Sequence, residues 1–233
     1  MQERKEMKIA VITARGGSKR IPRKNIRDFC GKPILAYSIE AALESGVFDE
    51  VMISTEDDEI AGIAKGYGAS FPFKRSEENA DDHSTTVDVL CEVYDNYVEL
   101  GRKPEVMCCI YPTAPFVTAD KLKKAYELFE SNNANAVIPV VRFSFPPQRC
   151  FIQNNGFIEY KWKENELARS QDLEPFYHDA GQFYMLKADV MKQRHTLVPD
   201  RTVPLILDDM EVQDIDTLDD WKIAEIKYGI IHG

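Results

Sequence analysis

Cysteine is sparse in this sequence and follows no pattern. Five occur in 233 residues, at Cys30, Cys91, Cys108, Cys109 and Cys150. The number is odd and no C-x-x-C spacing occurs, which excludes a disulfide framework and a cysteine zinc site and fits a reduced, cytoplasmic setting. Histidine is scarcer still, with four residues and no H-E-x-x-H pair. No apolar run approaches the ~20 residues that span a bilayer. The opening MQERKEMKIAVIT carries charges but not the apolar core of a secretory signal, so no membrane partner is expected. Positive charge is also in deficit. Lys and Arg number 29 against 39 Asp and Glu, a formal net charge of -10. An acidic chain repels nucleic acid, so no such partner is expected and any polyanion needs a locally basic site. Internal repeats and low-complexity tracts are absent, as are the Walker and G-x-G-x-x-G phosphate signatures.

What is present is an alternation of short apolar runs and helix-period segments. It predicts an α/β fold, a doubly wound and mostly parallel sheet covered on both faces. Strands are expected over 9–13, 51–54, 106–111, 136–141 and 182–186, with another that precedes or contains 211–215. Helices are expected after Pro33, around 60–64, over 84–100 with Ser84 or Thr85 as cap, after Asp120 as cap, and from near Thr217. Residues 142–180 break the pattern with aromatics, prolines and charges. Asn154-Asn155-Gly156 predicts a β-hairpin there, within an arm inserted into a single domain spanning 1–233.

Two clusters carry chemistry. The first is the loop after the first strand, ARGGSKRIPRKNIRDFCGK over 14–32, with seven cations against one acid. A loop leaving a parallel strand lies at the carboxyl edge of the sheet, where α/β proteins bind ligands. Gly16 and Gly17 allow backbone amides to approach phosphate oxygens, Ser18 adds a donor, and the cations suit a triphosphate. Composition alone says anion site. The second cluster is Asp214-Ile215-Asp216-Thr217. In a strand, residues two apart share a face, roughly 6.6 Å apart at ~3.3 Å rise per residue, within reach of one Mg²⁺. Spacing leaves a second reading equally open, in which Asp216 is a helix-cap residue in an acidic surface run.

The pattern Arg15-x-x-Ser18-Lys19-x-x-Pro22-x-Lys24-Asn25, with Gly31-Lys32-Pro33 entering a helix, resembles the N-terminal signature of the acylneuraminate cytidylyltransferases. FDEVMIST at 48–55, KRSE at 74–77, ADDHSTT at 80–86, PTAP at 112–115 and QDIDT at 213–217 extend the resemblance in order over nearly the whole chain. It implies transfer of CMP from CTP to an acidic nine-carbon sugar. It further implies a CTP site at Arg15, Gly16, Gly17, Ser18, Lys24, Asn25, Arg75 and Thr86, and Mg²⁺ on Asp214 and Asp216. Arg15, Lys24 and Asp216 are the expected catalytic residues, and a homodimer through the arm is implied as well. Two departures bear on the sugar. Tyr111 stands where sialate synthetases often have Gln, and YHDAGQFY at 177–184 replaces Arg-Pro-Asn-Gly-Ala-Ile-Tyr. With YPTAPF at 111–116 and RSQD at 169–172, this looks like the pseudaminic acid cytidylyltransferases. Sugar contacts are then expected at Tyr111, Arg149, Arg169, His178 and Gln182, although Tyr111 reads equally as core and His178 as scaffold. KDO, legionaminate or neuraminate as the sugar, and a non-catalytic nucleotide-binding regulator, are the competing readings.

Overall fold

In the computed structural model, residues 7–81 and 84–233 are described. Asp82 and His83 of the ADDHSTT match lie outside them. The apolar runs become strands, in chain order β1 (Met7–Thr13), the short pair β2 (Asp28–Phe29) and β3 (Lys32–Pro33), β4 (Glu50–Ser54), β5 (Pro104–Ile110), β6 (Ala136–Arg142), β7 (Phe151–Asn154), β8 (Phe157–Tyr160), β9 (Tyr177–Asp179), β10 (Phe183–Lys187) and β11 (Thr202–Leu207). The helices are α1 (Ile34–Ser45), α2 (Asp58–Gly66), α3 (Thr86–Glu99), α4 (Ala119–Ser131), α5 (Ala188–Arg194) and α6 (Leu218–His232).

The main sheet has the order β11-β6-β10-β5-β1-β4. β1 pairs in parallel with β4 and β5, and β11 with β6, while β10 runs antiparallel between β5 and β6. Alternation along β1 explains the two-sided core. Ile9, Ala10, Val11 and Ile12 are all fully buried, with Ala10 and Ile12 in the cluster packed by α1 and α4, and Ile9 and Val11 in the cluster packed by α3 and α5. Such burial on both faces is the mark of a helix-covered parallel sheet. Among the described residues no helix is long and apolar enough to cross a membrane.

Several local expectations shift. Thr118, not Asp120, caps α4, its hydroxyl accepting from Lys121 N. The excursion is tied back to the sheet before 180, since β9 pairs antiparallel with β6 from Tyr177↔Arg142 to Asp179↔Val140. Its Asn-Gly hairpin does form, as β7–β8, with φ of 50° at Asn155 and 85° at Gly156, the two positive values that a type I′ turn needs. The strand expected to precede or contain 211–215 precedes it, as β11. β11 ends at Leu207, a 3₁₀ turn covers Asp209–Glu211, and 212–216 has no ladder partner. Asp214 and Asp216 therefore owe their placement to burial of the Ile215 side chain between them rather than to a pleated sheet.

That burial lies in a third, smaller core. Ile21, Phe29, Ile34, Tyr37, Phe116, Ile215, Trp221 and Ala224 pack together with Tyr228 against them. Phe29 meets Trp221 at 5.6 Å and Tyr228 at 5.5 Å, both edge-on, an arrangement favoured by ring quadrupoles. α6, started by a capping box between Thr217 and Asp220, thus returns against the β2–β3 pair that follows the basic loop. Ile215 is 1% exposed. Ile215→Ala is expected to lower unfolding free energy by roughly 2–5 kcal/mol, the range for such a truncation. Urea denaturation checks this; a loss within error of zero would show that the small core does not bind the two ends of the chain together.

Candidate active site at the carboxyl edge of the sheet

Parallel strands β1, β4 and β5 end on one side, and the loops that leave them surround a cavity of about 510 Å³. Arg15, Ser18, Lys24, Asn25, Arg75, Thr86 and Tyr111, all predicted from sequence, line it. The basic loop is built from within. Ala14 N donates to Ser54 O at 3.1 Å, carrying the sheet one bond further. Asn25, 6% exposed, donates from Nδ2 to Arg15 O at 2.8 Å. It holds the loop's shape from below while bordering the cavity. Arg23 sits in the left-handed region with φ 55°, and its guanidinium is bound to Asp57 and Glu59. Asp57 also caps α2 through bonds from Glu59 N at 2.9 Å and Ile60 N at 3.0 Å. The Arg23 guanidinium holds the Asp57 carboxyl below the usual carboxylate range.

Gly16 departs from its expected role. Its N–H donates to Glu56 Oε1 at 2.6 Å, so that amide is turned toward a carboxylate and not toward the cavity. A Cβ on Gly16 would meet Asp57 Oδ2 at 2.6 Å and Asp57 Cβ at 3.3 Å. The glycine is required because the loop passes against the Asp57–Arg23 anchor. Gly17 has open space around it.

Arg75 is 6% exposed and donates to Ser54 Oγ at 3.0 Å and Ser54 O at 2.6 Å. Burial pushes its pKa down, with Glu56 and Glu92 opposing. A fixed guanidinium is thereby presented in the cavity wall. Thr86 opens α3, whose cap is Thr85 in a reciprocal box with Asp88. The helix's partial positive end is directed at the same space, a favourable placement for an anion.

The loop and the carboxylate pair meet through cations. Lys24 Nζ donates to Ile215 O at 2.7 Å and lies 3.7 Å from Asp216 Oδ1. Arg20 Nη1 reaches Asp216 Oδ2 at 2.9 Å. Burial lowers the Lys24 pKa, with Asp216 and Asp214 opposing. Although Asp214 is exposed, loss of water around its carboxyl, and then the charge of Asp216, raise its pKa. Among the described residues no group of three or more His, Cys, Asp and Glu could hold a metal ion. Two carboxylates alone do not make a zinc cage. They fit Mg²⁺, which takes one or two carboxylates and completes its shell with phosphate and water.

The expected sugar contacts divide. Tyr111 faces the cavity, its hydroxyl 3.3 Å from Thr86 Oγ1 and its ring edge-on to Tyr184 at 5.6 Å. His178 lies exposed on β9, Nδ1 2.9 Å from Asp179 O, with Phe143 packed on its ring at 5.0 Å. Arg149 and Arg169 belong to the excursion, and neither they nor His178 lines the cavity. Gln182 is 3% exposed, donates from Nε2 to Glu211 O at 2.7 Å and does not line the cavity, so it braces the turn before the carboxylate pair. Residues missed from sequence include Glu56 and Asp57, which hold the loop, and Asn79 and Thr113 in the cavity wall. An acid following a strand and opening a helix-period segment was the available signal for Asp57.

A family model described as "Cytidylyltransferase" matches residues 9–218. A pseudaminic acid cytidylyltransferase of Campylobacter jejuni is 40% identical over 225 residues, 96% of this chain and 97% of its own. A CMP-N,N'-diacetyllegionaminic acid synthase of Legionella pneumophila is 32% identical, covering 93% of this chain and 94% of its own. The solved structure of a CMP:2-keto-3-deoxy-manno-octonic acid synthetase complexed with CTP has a TM-score of 0.70 over 97% of this chain and 100% of that one, at 17% identity, which is a likeness of fold.

The two glycines of the loop are expected to respond differently. Gly16→Ala displaces the Asp57–Arg23 anchor and should weaken pyrophosphate binding about tenfold, equivalent to ~1.4 kcal/mol. Gly17→Ala, with open space for its methyl group, should bind as the parent does. Calorimetric titration distinguishes them; equal affinities for both variants would show that the anchor does not shape the anion site.

Proposed function

Because the chain belongs to the cytidylyltransferase family, we propose that it transfers CMP from CTP to a nine-carbon acidic sugar, pseudaminic acid in preference to its relatives, and releases pyrophosphate. The observation that carries this reading is the position of Lys24. It lies on the wall of a cationic cavity and on the carboxylate pair at once. A regulator that only held a nucleotide would have no use for carboxylates against the phosphate site.

Both reactants are anions, so the first task is to offset their repulsion. Arg15, Lys19, Arg20, Lys24 and Arg75 all border the cavity. They bind the triphosphate and favour the charge that builds on the leaving pyrophosphate. The anomeric 2-hydroxyl of the sugar attacks the α-phosphorus in line, the bond from phosphorus to the bridging oxygen breaks, and pyrophosphate carries the electron pair away. Asp216, held by Lys24 and Arg20, would take the hydroxyl proton. Asp214 and Asp216 would hold Mg²⁺, which would supply further neutralisation of charge on the α-phosphoryl oxygens. Tyr111 and the edge-on Tyr184 behind it give the sugar side an aromatic wall. It suits a sugar with a terminal methyl and a second acylated nitrogen where sialic acid has hydroxyls. The relative of 40% identity supports pseudaminic acid, and that of 32% makes a legionaminic acid the second reading.

A reduced cytoplasm suits the five free cysteines. A homodimer suits the excursion, where Phe145 is 84%, Phe157 79% and Leu167 94% exposed; exposed apolar groups of this density favour a second copy. Light scattering at micromolar concentration is expected to give twice the chain mass, and a monomer would remove the dimer from the proposal.

Pyrophosphate release is to be measured with CTP, UTP and ATP against pseudaminic, legionaminic and N-acetylneuraminic acids and KDO. CTP with pseudaminic acid should give the highest kcat/KM. EDTA and Asp216→Asn should each remove most of that activity, as loss of several kcal/mol of metal stabilisation implies. Equal or higher kcat/KM with N-acetylneuraminic acid would defeat the sugar assignment, and activity unaffected by EDTA would defeat the metal.

A further inference from the structure

The stretch 212–216 carries both carboxylates yet has no ladder partner. Backbone in such a place must find hydrogen bonds elsewhere or wander. Three side chains from three separate elements meet at the turn that leads into it. Lys227 of α6 donates from Nζ to Asp209 O at 3.0 Å and Val212 O at 2.8 Å. Gln182, just before β10, donates to Glu211 O at 2.7 Å. Lys121 of α4 lies between Phe116 O at 2.9 Å and Glu211 Oε1 at 3.1 Å.

Lys121 is the most telling of the three. A lysine on a surface helix ordinarily extends its ammonium to water. Here the side chain is only 12% exposed, and burial lowers its pKa while Glu211 opposes the shift. Partial desolvation of an ion pair is costly and gives little net stability, but it does fix geometry. The pair also joins the 112–116 turn, which borders the cavity through Pro112 and Thr113, to the turn that precedes Asp214.

We infer that Lys121, Gln182 and Lys227 are positioning residues that clamp the 209–212 turn and thereby hold Asp214 and Asp216 in register with Lys24 and the cavity. The inference rests on the proposed metal role of the two carboxylates. None of the three touches the reacting atoms, so their loss should be felt at the metal and not at the nucleotide.

The test uses the full chain with Lys121→Met, Lys227→Met and Lys227→Arg, and two readouts. CTP binding is titrated in EDTA. Mn²⁺ binding to the protein with one equivalent of CTP is followed by electron paramagnetic resonance, against CTP and Mn²⁺ alone. Each Met variant is expected to lose roughly tenfold in Mn²⁺ affinity while CTP affinity in EDTA stays within about twofold, as for outer partners of metal sites. Lys227→Arg keeps donors for both carbonyls and should restore Mn²⁺ binding. If Lys121→Met fails to fold, as breaking a desolvated pair can cause, Lys121→Met with Glu211→Leu removes both charges and should show the same Mn²⁺ loss. Unchanged Mn²⁺ affinity, or CTP affinity falling in parallel, overturns the inference. Failure of the parent protein to bind CTP would instead overturn the proposed function.

Discussion

Burial of Ile21 and Ile215 in one small core is the constraint on which the site depends. The first lies within the basic loop and the second between the two aspartates, and both are almost free of solvent contact. Neither segment belongs to the main sheet. With the two isoleucines pinned among Phe29, Tyr37, Trp221 and Tyr228, the polar neighbours of each have no choice but to face one another. Lys24 then reaches the carbonyl of Ile215 itself. Apolar packing thus sets the distance between cations and carboxylates, which attraction alone, shared with water, would leave loose.

The same division of labour runs through the loop. Of its cations, Arg23 is taken up by Asp57 and Glu59, and Arg27 lies over the Trp221 ring at 5.4 Å. Those that border the cavity are carried on a frame made by Asn25, Gly16 and the Asp57 cap. A cluster that reads in sequence as seven equivalent charges is therefore two populations, one structural and one lining the cavity.

How much of this was legible follows from what each signal encodes. Strand periodicity and helix caps are local, so β1, β4, β5, α1 and α3 stood out, as did the start of α6 near Thr217. The cavity residues Arg15, Ser18 and Lys24 were legible because spacing in a known loop signature transfers directly, and Thr86 from the separate match at 80–86. The strand near 211–215 was legible only to within its bounds: β11 ends before the acids, whose alternation mimics a half-buried strand although a single buried isoleucine is all that fixes them. The contact of Gln182 was hidden for a related reason. Alternation puts it on one face of the chain, but only the packed structure shows that its amide nitrogen reaches Glu211 O. Likewise no sequence feature announced that Lys121 turns its ammonium inward.

The neck of the excursion has a consequence of its own. Phe143 N donates to Phe176 O at 3.0 Å, and β9 continues the closure along β6. The chain leaves the scaffold and rejoins it at one point, so the entropy of closing that loop grows only logarithmically with its length. Residues can be gained, lost or exchanged between 144 and 175 without disturbing strand register or the nucleotide side of the molecule. An evolving lineage could rewrite the exposed apolar surface of this stretch alone, leaving the cationic cavity untouched.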